Sequence, residues 1–415
     1  MNGDSVLRVA LAELHAEIGD DLEAPPRVAF SLTELGEACE SLGVRRPLLV
    51  MDRRALASAR LEHVIEQQLG DRAYTTFDRF SPNPTCEQAA AAAETARVHA
   101  ADGVVAVGGG SCCDVAKVAA LAANAPDIAG ELARGISTER GRPLPLIAAS
   151  TTAGTGSEAT HFAAIYVDGR KVSVAHPGLL PRVAILDVRF HRAMPPHVAA
   201  QTGLDALGQA LESTWAVGAN EQSLRFAAAA GRRIAGSLAE SVRSGDDEAR
   251  VAMMIGAHLA GRAINISKTT ASHALSYQLT QRFGLAHGHA VALTLGHLAS
   301  ANARAGDDRC CDPRGVLEAR QRVDAAAGYL GVTPEDLPRV VQDLLEQVAL
   351  PATLEEAGVQ RDALRSLAES IDPIRLSNNP FRLGTDDLER MLQDAWQGVP
   401  DKGKSLTRPV RVAIH

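Results

Sequence analysis

Residues 104–117 read VVAVGGGSCCDVAK. A β-branched apolar run, Val104 to Val107, enters Gly108-Gly109-Gly110-Ser111 and continues into a helix-like stretch. Glycines let the backbone turn sharply and approach a ligand closely. The helix N-terminus that follows presents free N–H groups and about half a positive charge, a seat for a pyrophosphate. The pattern is neither G-x-G-x-x-G nor a Walker A loop, and an ordinary tight turn is the competing reading. Asp114 reads either as a ligand or as a plain first-turn charge, and Lys117 is equally compatible with a surface helix position.

The same texture extends outward. Pro47 to Met51 (PLLVM), Leu144 to Ala149 (LPLIAA) and Val183 to Leu186 (VAIL) read as strands. Cys86 to Ala101 and Cys113 to Ala123 read as alanine-rich helices between them. Such alternation predicts a parallel sheet covered on both faces. Residues 150–160 (STTAGTGSEAT) follow a strand and carry hydroxyls at Thr151, Thr152, Thr155 and Ser157, which suit phosphate or ribose oxygens as well as an ordinary polar turn. Asp52 ends PLLVM, where a carboxylate accepts from an adenine-ribose hydroxyl and repels a 2′-phosphate. That favours NAD over NADP, while Arg53 and Arg54 pull the other way.

After Pro195-Pro196 the periodicity becomes helical, as in Leu204, Leu207, Leu211 and Trp215, and it continues to about residue 395. The expected organisation is an N-terminal extension (1–26), an α/β domain (27–196), an all-helical domain (197–396) and a loosely held tail (397–415). Asp205 and Gln209 lie four apart, on one helix face. His273 and His287 follow, with Gly288 in AHGHAV allowing a tight bend. One carboxylate and two imidazoles suit a divalent metal such as Fe(II) or Zn(II), with Gln209 adding an amide oxygen or lying beside a bound water.

Composition excludes several classes. The 415 residues carry 46% hydrophobic and 22% charged side chains and a net charge of −8, which argues against disorder and offers no basic nucleic-acid footprint. No apolar run is long enough to span a membrane. The N-terminus lacks the regions of a signal peptide. Six cysteines, four of them in the adjacent pairs Cys112-Cys113 and Cys310-Cys311, form no disulfide framework, and a reduced cytoplasm is the expected location. Only five of the 42 basic residues are lysine, so Lys117, Lys171 and Lys268 each invite the question of what an ammonium does there that a guanidinium would not.

Four ordered segments, GGGSCCDVAK, STTAGTGSEAT, DALGQALE (205–212) and HALSYQLTQRFGLAHGH (273–289), resemble the iron-containing (group III) alcohol dehydrogenase family over about residues 27–395. The resemblance implies a dehydroquinate synthase-like architecture: an α/β dinucleotide-binding half, a helical metal-binding half, and an active site in the cleft. It implies NAD(P)H on Gly108, Gly109, Gly110, Ser111 and Asp114, with Thr151, Thr152, Thr155 and Lys171 on the ribose and nicotinamide side. Asp205, Gln209, His273 and His287 fall at the four ligand positions, and a homodimer is the family default. Gln209 replaces a family histidine, which leaves iron, zinc or manganese open. Tyr277 replaces another histidine and Cys112 a proline. Lys268-Thr269-Thr270 replaces an apolar, glycine-containing stretch.

That last departure points to an anionic substrate. Lys268, Thr269 and Thr270, with Arg262 six residues earlier, form a candidate anion site. In this respect the chain is similar to the phosphonoacetaldehyde reductase branch, which makes 2-hydroxyethylphosphonate in phosphonate natural-product biosynthesis. Tyr277 or His289 is the expected proton relay. The alternatives are an alcohol dehydrogenase for a neutral alcohol or diol, a maleylacetate-type reductase, and, more remotely, a dehydroquinate synthase-like cyclase.

Overall fold

The apolar runs of the first half become short strands: β1 (Arg27–Ala29), β2 (Pro47–Met51), β3 (Thr75–Phe77), β4 (Gly103–Gly108), β5 (Leu146–Ser150), β6 (Phe162–Val167), β7 (Arg170–Ala175) and β8 (Val183–Leu186). In the computed structural model, which describes residues 3–22, 24–124, 131 and 142–400, six of them form one sheet in the order β1-β8-β5-β4-β2-β3. Every pairing in that sheet is parallel. All residues of β2, β4, β5 and β8 are buried, which explains why these strands read as unbroken apolar runs rather than as alternation.

Successive side chains serve two cores. Leu49, Met51, Val105, Val107, Ile147 and Ile185 pack with Leu35, Leu56, Ile65 and Phe190 on one face. Leu48, Val50, Val104, Ala106 and Leu146 pack on the other with Ala92, Ala96, Ala116 and Ala119. The helices around the sheet are α1 (Gly3–Ile18), α2 (Leu35–Ser41), α3 (Arg53–Ala59), α4 (Glu62–Leu69), α5 (Cys86–Val98), α6 (Gly110–Ala122) and α7 (Val188–Ala193). Alanines on α5 and α6 bring those helices close to the sheet.

β6 and β7 form a separate antiparallel hairpin. Its turn, Asp168-Gly169, has positive φ at both residues (48° and 74°), the backbone of a tight hairpin turn.

The chain divides into two units, Met1–Met194 and Pro195–His415. The second is helical: α8 (Pro196–Trp215), α9 (Glu221–Arg243), α10 (Asp247–Ser267), α11 (Ala271–Phe283), α12 (His287–Arg304), α13 (Val316–Gly328), α14 (Leu337–Gln347), α15 (Leu364–Glu369), α16 (Pro373–Leu376) and α17 (Thr385–Gln397). Helix α8 packs against α9, α10, α12 and α13. Every residue from Gly203 to Trp215 is buried, so α8 is a central helix rather than an amphipathic surface one. Residues 401–415 of the expected tail lie outside the described residues. All six cysteines are unpaired, and among the described residues no helix is long and apolar enough to cross a membrane.

Candidate cofactor cradle and metal centre

Strand β2 leads to β3 on one side and β4 leads to β5 on the other, so the chain reverses its winding direction between β2 and β4. Ligands of open α/β sheets bind beyond the carboxyl ends of strands at such a point. Asp52 and the glycine run stand there. Gly109 is the N-cap of α6. A Cβ at Gly110 would lie 2.8 Å from Thr155 Cγ2, so the glycine turn and the hydroxyl-rich loop after β5 pack directly on each other. Thr151 N donates to Gly108 O at 3.2 Å. Thr152 Oγ1 is buried beside Gly109 with no hydrogen-bond partner among the described residues. An orphaned hydroxyl next to the amino end of a thirteen-residue helix suits a phosphate oxygen, so the residues fit a dinucleotide.

Asp52 caps α3, its Oδ1 accepting from Arg54 N and Ala55 N at 3.0 and 3.2 Å. Arg53 is bound to Asp78 by its Nε and reaches Thr76 Oγ1.

Lys117 is a core group, which corrects the surface reading of that residue, and half-buried Asp114 packs beside it. Lys117 is fully buried and donates to Ser157 Oγ, Thr160 Oγ1 and Phe162 O at 3.0, 2.8 and 2.7 Å. Asp114 Oδ1 accepts from Ser157 Oγ at 3.1 Å. Burial lowers the Lys117 ammonium to about 8, although Asp114 and Glu158 favour its charge. Burial pushes the Asp114 carboxyl up, and Lys117 and then Lys171 pull it partly back. The network ties α6 to the loop after β5 and to β6. A lysine rather than an arginine fits because three oxygens converge on one compact donor.

In the helical unit, Asp205, His273 and His287 each offer one ligand atom, all within 4.8 Å of one another. His273 Nε2 lies 3.4 Å and His287 Nε2 3.7 Å from Asp205 Oδ1. The three come from α8, α11 and α12, and glycine brings the helices together. A Cβ at Gly288 would lie 1.9 Å from Gln201 O and 2.8 Å from Asp205 N. Gly288 is thus inside α12, where it permits contact with α8; it does not make the expected bend.

Both imidazoles are oriented from behind. His273 Nδ1 sits 2.5 Å from Glu212 Oε2. Glu212 also accepts from Thr270 N, Thr270 Oγ1 and Ser272 N at 2.9, 2.7 and 2.8 Å. Ser276 Oγ donates to His273 O at 2.7 Å, which leaves its oxygen to accept from His287 Nδ1 at 3.0 Å. Each ring then presents an Nε2 lone pair toward Asp205.

His273 Nε2 is buried, and beyond its 3.4 Å approach to Asp205 Oδ1 it makes no hydrogen bond of good geometry among the described residues. Burial opposes a charge on this ring, yet Glu212 and Asp205 raise it to about 10. A position whose carboxylates favour positive charge that strongly suits a cation in place of the proton, so the residues fit a divalent metal. Gln209 Nε2 donates to Asp205 Oδ2 at 3.2 Å, so its amide orients the carboxylate.

Tyr277 stacks on His287, with centroids 5.6 Å apart and planes at 11°. The Arg375 guanidinium lies 4.6 Å from the Tyr277 centroid on its way out to solvent. His289 does not join them. Its Nε2 hydrogen-bonds Pro351 O at 2.7 Å, because a step of two residues along α12 turns it away from His287. This removes it as the proton relay.

Of the expected anion site, Lys268 is exposed and Thr269 half-buried. Thr270 is excluded: its hydroxyl accepts from Trp215 Nε1 at 3.0 Å and donates to Glu212. Arg262 is buried, with its guanidinium 5.0 Å from the Phe226 centroid, a core position rather than an offer to an exposed anion. Helix α10 ends at Ser267, and Lys268 has φ 63° and ψ −177°, backbone normally reserved for glycine at a cost of about 1–3 kcal/mol.

Glu212, Ser276, Arg375 and Asn378 were not anticipated. Only Glu212 carried a usable signal, since it lies seven residues after Asp205 on the same face of one helix.

Residues 25–188 match the family described as iron-containing alcohol dehydrogenase, and residues 199–396 match its C-terminal domain. The chain belongs to the iron-containing alcohol dehydrogenase family. It is accordingly a nicotinamide-dependent oxidoreductase of the alcohol and aldehyde class, in a family that uses NAD(P) and a divalent metal. Among its relatives, the phosphonoacetaldehyde reductase of Streptomyces viridochromogenes is 36% identical over 322 residues, covering 74% of this chain and 80% of that protein. Long-chain-alcohol dehydrogenase 1 of Geobacillus thermodenitrificans is 33% identical, covering 89% and 94%. The solved sulfoacetaldehyde reductase of Bifidobacterium kashiwanohense, in complex with NAD+, superposes with a TM-score of 0.78 at 30% identity, covering 89% and 96%.

Proposed function

We propose that this iron-containing alcohol dehydrogenase reduces a small anionic aldehyde, phosphonoacetaldehyde first, to the corresponding alcohol, here 2-hydroxyethylphosphonate. The observation that carries the reading is Lys268. In a chain with five lysines, one stands exposed in the linker between α10 and α11, five residues before His273. Arg375, whose Nε also lies 4.0 Å from Asp372 Oδ2, sets a guanidinium over the Tyr277 ring that stacks on His287. Two similar proteins are named for two-carbon aldehydes bearing a phosphonate and a sulfonate.

When bound, the reduced nicotinamide supplies hydride and the divalent cation supplies Lewis acidity toward the carbonyl. Asp205, His273 and His287 hold the cation, and this oxygen and two-nitrogen set suits Fe(II) or Zn(II). Glu212 retains the proton on His273 Nδ1, and Gln209 steadies Asp205. The α6 N-terminus and Thr152 receive the pyrophosphate. Asp52 at the β2 end, with Arg53 neutralised by Asp78, favours NADH. Lys268 and Thr269 hold the anionic group so that the carbonyl is presented in one orientation. Tyr277, whose ring stacks on His287, is assigned the transfer of a proton to the product oxygen.

The test is NADH and NADPH consumption with phosphonoacetaldehyde, sulfoacetaldehyde, propanal and a long-chain aldehyde, using the wild type and Lys268→Ala. The reading requires kcat/KM to be highest for an anionic aldehyde and Lys268→Ala to erase that preference. A neutral aldehyde preferred by both proteins would instead support an alcohol dehydrogenase for neutral substrates, the reading favoured by the long-chain-alcohol dehydrogenase relative.

A further inference from the structure

The residues flanking Lys268 are held by a side chain more than a hundred positions away in sequence. Asn378, just after α16, donates through Nδ2 to Ser267 O and to Thr269 O, both at 2.9 Å. Its Oδ1 accepts from Gly218 N at 2.9 Å, which fixes which end of the amide faces the linker. Lys268 O accepts from Ser267 Oγ at 2.9 Å, and Lys268 N donates to Ile264 O at 3.0 Å. The carbonyls on both sides of Lys268 thus converge on one NH2 group. Ser267 O and Thr269 O, two residues apart, face one donor across a residue that departs from helical backbone. That residue is Lys268, with positive φ. Space for the clamp comes from Gly218, where a Cβ would lie 2.8 Å from Ser267 O. The segment that carries Asn378 also places Arg375 over Tyr277.

We propose that Asn378 is a positioning residue for substrate recognition: by clamping Ser267 O and Thr269 O it holds Lys268 in its positive-φ conformation and so aims the ammonium at the anionic group of the aldehyde. This rests on the reading of Lys268 as the substrate's cation. Asn378 touches no substrate and acts through the backbone of its neighbour. Without the clamp the linker relaxes to ordinary dihedrals, and the Lys268 side chain leaves from a different direction.

The experiment is a double-mutant cycle with Lys268→Ala, Asn378→Ser and the double variant, reading KM for phosphonoacetaldehyde against KM for propanal in the metal-loaded enzyme. Lys268→Ala is expected to raise the KM ratio of charged to neutral substrate by about tenfold or more, the range for losing a charged contact. Asn378→Ser is expected to raise the same ratio severalfold, and the double variant to be no worse than Lys268→Ala alone, because both act through one ammonium. A merely structural Asn378 would lower thermal stability and move both KM values together. If Asn378→Ser fails to fold, Gly218→Ala presses on the same clamp from the opposite side and is read in the same way. A selective effect of Lys268→Ala with no selective effect at Asn378 or Gly218 overturns the positioning role and leaves the anion reading intact. An unselective effect of Lys268→Ala overturns the anion reading, and the positioning role falls with it.

Discussion

Glu212 Oε2 lies 2.5 Å from His273 Nδ1, deep inside the helical unit and seven residues along α8 from Asp205. Burial alone would push this carboxyl up, but the His273 ring and the Thr270 donors hold it below the usual carboxylate range. An ionised acceptor fixes the proton on Nδ1 and frees Nε2 for a metal. Glu212→Gln is therefore expected to weaken metal affinity by about 10–100-fold, the usual effect of removing such a partner. Competition with a fluorescent chelator measures this, and unchanged affinity would show that Glu212 serves only packing.

Close contact between α8 and α12 makes a second, steric prediction. Gly288→Ala drives a Cβ into Gln201 O and pushes His287 away from Asp205. Overpacking of this kind costs about 1–3 kcal/mol, and both melting temperature and bound metal are expected to fall. Gly236→Ala, in α9 with nothing within 4 Å of the added carbon, is the control, expected to be neutral or slightly stabilising.

Lys117 predicts a pH dependence in the α/β unit. Its folded-state value, about 8, lies below its ordinary 10.5. Between those values the unfolded chain binds more protons than the folded one, so stability rises with pH across the window. Below about pH 8 the buried ammonium costs up to about 3 kcal/mol. Denaturant titrations from pH 7 to 10.5 should therefore show the wild type gaining stability relative to Lys117→Met. Parallel profiles would mean that the ammonium is compensated by its three oxygen partners.

Lys268→Gly separates strain from recognition. Glycine accepts the backbone found at this position, so the variant is expected to be more stable by about 1 kcal/mol. It should at the same time lose the preference for a charged aldehyde. Thermal melts and the substrate panel read the two effects independently.

The reach of the sequence depended on burial. β2, β4, β5 and β8 were legible because strands buried on both faces are continuous apolar runs. β1 and β3 are three-residue edge strands and carry no such run. The β6–β7 hairpin was missed although Asp168-Gly169 is a hairpin turn signal. Asp205, His273 and His287 were grouped by family resemblance more than by spacing, because His273 and His287 sit on different helices. Thr270 and His289 were misplaced for one reason: the direction of a side chain near a helix terminus depends on where the helix begins. Thr270 proves to be the N-cap residue of α11, and His289 lies in the first turn of α12. Asn378 gave no local signal, since its partners lie more than a hundred residues earlier in the chain.

The account stands most directly on the dependence of turnover on a cation at Asp205, His273 and His287. Protein stripped with a chelator, then reloaded with Fe(II) or Zn(II), should be assayed for bound metal and for NADH-dependent reduction of phosphonoacetaldehyde, beside His273→Ala. The account predicts about one ion per chain, activity that disappears on stripping and returns on reloading, and neither metal nor turnover in His273→Ala. Full turnover by the stripped wild type, or stoichiometric metal in His273→Ala, would contradict it.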